Sequence, residues 1–150
     1  MFVGSFEHQV DTKGRMRIPA SFRKLFESDN VVAVKGSNHC IYIYEQSMLD
    51  KDLQGYLGAT FANEDPRAGK VRRLISASAV SIQQDAQSRF TIGAKLKEFA
   101  GINKDVVFLG NGNRIELWSK ENWDKYVDGA DDDYDELLLS LVRKDGGSVQ

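Results

Sequence analysis

The 150-residue chain has a single cysteine, Cys40, so no disulfide can form within it. With only two histidines, His8 and His39, beside that cysteine, the usual four-ligand zinc site is not on offer either. Long apolar runs are also missing, and none approaches the roughly 18 residues that a membrane span requires. The opening Met-Phe-Val-Gly-Ser-Phe-Glu has no basic segment leading into an apolar one, unlike a secretory signal. The expected compartment is therefore a reducing cytoplasm.

Catalytic constellations are equally scarce. His39-Cys40 is the one Cys/His juxtaposition, and neighbours at the start of a strand point to opposite faces, which argues against a nucleophile–base dyad. The acidic run Asp131 to Glu136 carries Glu136 where a calcium loop requires glycine. Gly110-Asn-Gly112 leads into a strand instead of a helix, which removes a dinucleotide-binding reading. No catalytic residue, metal, cofactor or small-molecule substrate is expected.

What the chain does have is a repeat. Asp-Thr-Lys-Gly-Arg-Met-Arg-Ile-Pro-Ala-Ser-Phe-Arg at 11–23 returns, degraded, from Asp85, 74 residues on. At that offset Asp11 matches Asp85, Arg15 matches Arg89, Ile18 matches Ile92 and Phe22 matches Leu96. Gly36 and Gly110, Ile41 and Ile115, Ile43 and Leu117, and Tyr44 and Trp118 continue the register without an insertion. Such persistence points to two copies of one supersecondary unit.

Within the first copy, Phe6, His8 and Val10 alternate with polar residues as in a half-buried strand. Asp11 to Gly14 reads as a tight turn, in which the Asp side chain accepts backbone amides and Gly14 permits positive φ. Met16 and Ile18 resume the inward positions, leaving Arg15 and Arg17 outward and Lys13 at the turn before them. A short helix carrying Phe22, Leu25 and Phe26 follows Pro19, then a hairpin of 31–35 with 40–44. The second copy repeats this plan, with 106–109 and 114–118 joined through Gly110 to Asn113, where the Asn111-Gly112 pair favours a turn with positive φ.

Amphipathic helices flank the repeats. One is capped by Ser47 and carries Leu49, Leu53, Tyr56 and Leu57; another opens at Asp65-Pro66 and is rich in Arg67, Lys70, Arg72 and Arg73. Trp123, Tyr126 and Val127 line a third, and Tyr134, Leu137, Leu138, Leu141 and Val142 a fourth, while 146–150 is expected to lack regular structure. The expected division is a first repeat at 5–54, a helical connector at 55–77, a second repeat at 78–128, and a C-terminal helix and tail at 129–150.

The net charge of −2 hides a strong asymmetry. Positions 121–136 hold eight acids against Lys125 alone, whereas 11–24 hold Lys13, Arg15, Arg17, Arg23 and Lys24 against Asp11. DNA responds to local potential, so an acidic chain can still carry a nucleic-acid site. Two readings of the repeated Asp-x-x-x-Arg remain open: a local ion pair that holds the turn shut, and an arginine fork suited to phosphates and guanine edges.

Met-Phe-x-Gly at the start, Asp11-x-Lys13-Gly14-Arg15-x-x-Ile18-Pro19, Asp85-x-x-x-Arg89, Ile115-Glu-Leu-Trp-Ser119, the arginine-rich segment from Asp65 to Ala79 and Trp123 together resemble the MraZ family over essentially the whole chain. That family is similar to AbrB and MazE regulators. The resemblance implies an α+β, mainly β fold: two swapped-hairpin units in one chain, forming a pseudo-dimeric double-split β-barrel with flanking amphipathic helices. It further implies a sequence-specific regulator, cytoplasmic and nucleoid-associated, that binds double-stranded DNA at promoter repeats. The implied targets are the bacterial division and cell-wall gene cluster and the regulator's own promoter. Chains of the family close into homo-oligomeric rings, and Arg15, with Lys13 and Arg17, is implied to contact DNA.

The second copy departs from the pattern, with Ser88-Arg89 and Ile92-Gly93 for Gly-Arg and Ile-Pro, Thr91 for Arg17 and Gln87 for Lys13. The first unit is accordingly expected to lead DNA contact, with Arg89 assisting or serving the barrel, and Asp11, Gly14 and Asp85 holding the turns. A ring-forming scaffold without sequence-specific DNA binding and a MazE-like antitoxin are the competing readings.

Overall fold

Alternating and helical patterns take shape as expected along most of the chain in a computed structural model, which describes the backbone at 1–57 and 65–149 and side chains at 1–55 and 65–143. The described chain divides into two compact units, residues 1–120 and 121–150.

In the first unit the strands are β1 (Ser5–Gln9), β2 (Met16–Arg17), β3 (Val31–Lys35), β4 (Ile41–Glu45), β5 (Val80–Ile82), β6 (Arg89–Phe90), β7 (Asp105–Asn111) and β8 (Arg114–Ser119). Six form one antiparallel sheet in the order β1-β7-β8-β4-β3-β5, and β2 pairs with β6 in a separate two-stranded ribbon. Exchanging the repeats turns that order into its own reverse. The outer strands cross over: β1 of the first copy lies on β7 of the second, and β5 of the second on β3 of the first. The two hairpins read from the sequence form as expected, β3 with β4 and β7 with β8. In the latter the two-residue loop is Gly112-Asn113, with φ of 73° at Gly112.

The repeat-related apolar residues share one core. Ile18 and Ile92, Phe22 and Leu96, Ile41 and Ile115, and Ile43 and Leu117 are all fully buried, together with Met16 and Phe90. Each such side chain contributes about 1.5–3 kcal/mol of transfer free energy on burial, so the strongest terms in the sum join the two copies. The segment after Pro19 is a 3-10 helix (Ala20–Glu27) that buries Phe22, Leu25 and Phe26 as its spacing demands. Its partner in the second copy is α3 (Ala94–Ala100), which buries Leu96 and Ala100. The N-terminal segment runs over Gly110, where a Cβ would meet the Val3 nitrogen at 2.4 Å, so only glycine admits that approach.

Two flanking helices belong to this unit, α1 (Gln46–Leu57) and α2 (Pro66–Ser78). Strand β4 runs straight into α1 at Gln46, so Ser47 is already inside the helix and its hydroxyl bonds the Glu45 carboxylate instead of capping. Leu49 packs with Val32, Val34 and Tyr44, while the side chains of Tyr56 and Leu57 lie outside the described residues. Asp65 caps α2 through the Arg67 amide at 2.8 Å, as the Asp-Pro start indicates.

The second unit holds α4 (Lys120–Val127) from its second residue on and α5 (Ala130–Val149), with Gly129 between them at φ 70°. Helix α5 continues through 146–149, a stretch expected to lack regular structure; consecutive helical hydrogen bonding there overrides the weak propensity of Gly146-Gly147. Its Tyr134, Leu137, Leu138, Leu141 and Val142 are exposed. Among the described residues no helix is long and apolar enough to cross a membrane.

Candidate nucleic-acid interface

The turn at 11–15 is built around one carboxylate. Asp11 Oδ1 accepts the Lys13 amide at 2.9 Å and the Arg15 amide at 2.8 Å, while Oδ2 accepts Arg15 Nε at 2.8 Å. The backbone closes the loop, since the Asp11 amide donates to the Arg15 carbonyl and the Gly14 amide to the Asp11 carbonyl. The second copy reproduces every bond: Asp85 Oδ1 accepts Gln87 and Arg89 amides at 2.9 Å each, and Oδ2 accepts Arg89 Nε at 3.0 Å. Gly14 sits at φ 78° and Ser88, its counterpart, at φ 60°. Serine there carries left-handed strain of about 1–2 kcal/mol that glycine avoids. The degraded copy thus keeps the turn at a cost the first copy does not bear.

Hydrogen bonds from the Arg15 amide, then from the Arg15 side chain and the Lys13 amide, hold the Asp11 carboxyl below its ordinary range; those from Arg89 and Gln87 do the same for Asp85. A carboxylate whose pKa is lowered by folding stabilises the native state above the unfolded pKa, and that contribution fades as pH falls through the native value. The Gly14 and Ser88 amide resonances should therefore both shift on acidification, with midpoints below the usual carboxylate range. In Asp11→Asn the Gly14 transition should vanish while that of Ser88 persists. An unchanged Gly14 profile would mean that the carboxylate does not organise the turn.

Both arginines of the repeated motif are thus ion-paired, yet neither is consumed. Asp11 engages only Nε of Arg15, and its two terminal nitrogens have no partner among the described residues. The ribbon then sets their direction. In β2 and β6 Met16 pairs with Phe90 and Arg17 with Arg89. Met16 and Phe90 are buried, so their neighbours along each strand turn outward. Both outward positions of the ribbon, Arg17 and Arg89, are therefore arginine, Arg15 directly precedes β2, and Lys13 stands exposed on the adjoining turn.

Arg17 and Arg89 directly opposite one another repel, which costs a fraction of a kcal/mol in an isolated sheet. Among the described residues Arg17 has no carboxylate to relieve it, since Asp11 and Asp85 each serve the arginine of their own turn. An anion laid across the ribbon would relieve it. Lys97, on α3, is a further cation that strand alternation did not reveal: a Cβ on Gly14 would lie 3.5 Å from its Nζ. The available signal was the repeat, which maps Lys97 onto Arg23.

A second polar cluster lies away from this face. Glu116, 4% exposed, accepts Arg114 Nε at 2.9 Å and Nη2 at 2.8 Å, Asn111 Nδ2 at 3.0 Å and Trp118 Nε1 at 3.1 Å. Arg114 Nη1 reaches the Tyr44 hydroxyl at 3.2 Å, and that hydroxyl donates to Asp52 at 2.6 Å. Burial disfavours the Arg114 charge, but the bonds to Glu116 and Tyr44 outweigh it and hold its pKa above the ordinary value. Its members are mutually satisfied, which suits a structural role.

His39 bonds the Phe99 carbonyl at 3.1 Å, while Cys40 is 1% exposed and its thiol is pushed up to about 12, chiefly by burial. A thiol so held has little nucleophilic character at neutral pH. Among the described residues no three His, Cys, Asp or Glu side chains gather as a metal site would need.

Geometry therefore defines a class: a duplicated antiparallel protein whose copies exchange outer strands and together present an arginine ribbon. The family model described as "MraZ protein, putative antitoxin-like" matches residues 1–70 and 75–136. "Transcriptional regulator MraZ" of Carboxydothermus hydrogenoformans is 36% identical over 142 residues, covering 95% of this chain and 97% of that protein. The protein of the same name from Halothermothrix orenii is 38% identical over 144 residues, covering 94% and 96%. That from Saccharopolyspora erythraea is 34% identical over 134 residues, covering 89% and 92%. The chain belongs to the MraZ family.

Proposed function

We propose that this chain is a transcriptional regulator that binds double-stranded DNA through the outward face of β2 and β6, without catalysis. The observation that carries the reading is the pairing of Arg17 with Arg89 beside Arg15, a like-charged group that a polyanion completes. Arg15 and Arg17, with Lys13 at the turn, lead the contact. Arg89 contributes less because Gln87 and Thr91 stand where the first copy has Lys13 and Arg17. Asp11, Gly14 and Asp85 keep the turns in place. The names of the relatives support the regulatory role.

The exchange of β1 and β5 between copies supports the finer fold reading of a pseudo-dimeric double-split β-barrel. Within it, 5–54 and 78–128 are the repeats, 55–77 the connector and 129–150 the C-terminal helix and tail. A ring of several chains in the cytoplasm, nucleoid-associated, would engage repeated sites in its own promoter and in the division and cell-wall cluster. Avidity gains of order 10² to 10⁴ would then make ring closure a condition of tight binding.

Titrating DNA from upstream of the protein's own gene, by gel shift across a range of salt, tests the reading. Affinity should fall with ionic strength by about 0.9 log units per phosphate contact for each log unit of salt. Exposed apolar residues on α5 favour a second reading, a ring-forming scaffold. A flat salt response, or no shift at all, would select that one.

A further inference from the structure

Lys97 is the basic residue in the last turn of α3, where a cation suits the helix C-terminus, and its side chain extends beyond that helix. Its backbone serves α3, with its amide bonded to the Gly93 carbonyl and its carbonyl to the Ile102 amide. Its side chain reaches across to the first copy, where the ammonium lies against Gly14 at the tip of the 11–15 turn. The one carboxylate of that turn is already filled by the Lys13 and Arg15 amides and by Arg15 Nε. Among the described residues Lys97 has no acidic partner. A cation placed against Gly14, in a turn whose one carboxylate is already engaged, is free to meet an external anion.

We propose that Lys97 is a phosphate-binding residue of the DNA interface, supplied by the second repeat to the turn of the first. This rests on the DNA-binding reading and extends it to a site that neither repeat makes alone. Lys13 and Arg15 come from one copy and Lys97 from the other, on segments that the shared core holds together. A compact ammonium on a flexible stem binds a phosphate as a point charge and carries no base-edge geometry. Lys97 therefore adds affinity without sequence preference, in contrast to the arginines of the ribbon. The repeat offset assigns the same duty to Arg23 at the Ser88 turn.

Lys97→Gln tests this, with Lys95→Gln, two residues earlier on the same helix and exposed, as the control. Binding of promoter DNA and of a scrambled duplex is titrated between 50 and 300 mM salt, alongside thermal melts. Lys97→Gln should melt like the parent, weaken both duplexes by the same factor, about eightfold per site at 0.1 M salt, and reduce the salt slope by about 0.9 per site. Lys97→Arg should restore the slope, and Lys95→Gln should leave it alone. A parental slope in Lys97→Gln, or equal losses in both Gln variants, would overturn the assignment while DNA binding stood. A parent that bound neither duplex would remove the DNA-binding reading and this site with it.

Discussion

Arg15→Ala should weaken binding to a specific DNA site by about 1–3 kcal/mol per contact, multiplied where several chains bind together, and leave the fold intact. The reason lies in how the guanidinium is held. Asp11 grips Nε and leaves both terminal nitrogens free, so the fork is oriented before DNA arrives and little rotamer entropy remains to be lost. Truncation does not undo the turn, because Asp11 keeps the amides of Lys13 and residue 15. Arg15→Lys separates shape from charge: it should retain most binding to a scrambled duplex and lose preference for the promoter. Arg89→Ala should cost less, since its neighbours are Gln87 and Thr91. Paired thermal melts and promoter titrations decide the matter. Parental affinity in Arg15→Ala would take the residue out of the interface, and a loss of binding that tracked a lower melting temperature would reassign it to the turn.

The largest effect on stability is expected at Arg114. Arg114→Ala would leave the buried Glu116 carboxylate with, among the described residues, Asn111 and Trp118 as donors, and would deprive the Tyr44 hydroxyl of its bond from Arg114. Removing one partner of a buried pair costs about 3–5 kcal/mol, because the surviving charge keeps its desolvation penalty without compensation. The guanidinium also lies 3.8 Å over the Tyr42 ring, so packing is lost with the charge. A double change, Arg114→Met with Glu116→Leu, removes both charges and should be milder than the single one. Urea unfolding of the three proteins checks the order, and an Arg114→Ala protein within about 1 kcal/mol of the parent would show that water reaches Glu116.

These expectations separate by how local their causes are. The first turn was legible because everything it needs lies within five residues, an Asp to accept amides, a Gly in the left-handed position and an Arg four places on, whereas the left-handed backbone of Ser88 in the second emerged only in the structure. Strand alternation and helical spacing likewise named Met16, Ile18 and Phe22 as core, since the periods of 2 and 3.6 depend on the backbone alone. Outward placement of Arg15 and Arg17 followed from the same rule.

Which strand lies beside which was decided only in three dimensions. Pairing β1 with β7 and β2 with β6 joins residues more than seventy positions apart, and no local preference selects among the possible partners. Burial of the shared apolar core selects them, and that choice set Arg17 against Arg89 and brought Lys97 to Gly14. Arg114 and Glu116 show the same division: they alternate along β8 with buried Ile115 and Leu117, and on the other face Tyr42, Tyr44 and Asp52 meet them and enclose the charge. By itself the sequence determined the repeat, the two turns and the face on which the arginines lie, because each is a matter of neighbours along the chain. Tertiary structure alone decided that the copies complete one another, since only packing against a distant segment satisfies an outer strand's edge, a buried carboxylate or an apolar half-core.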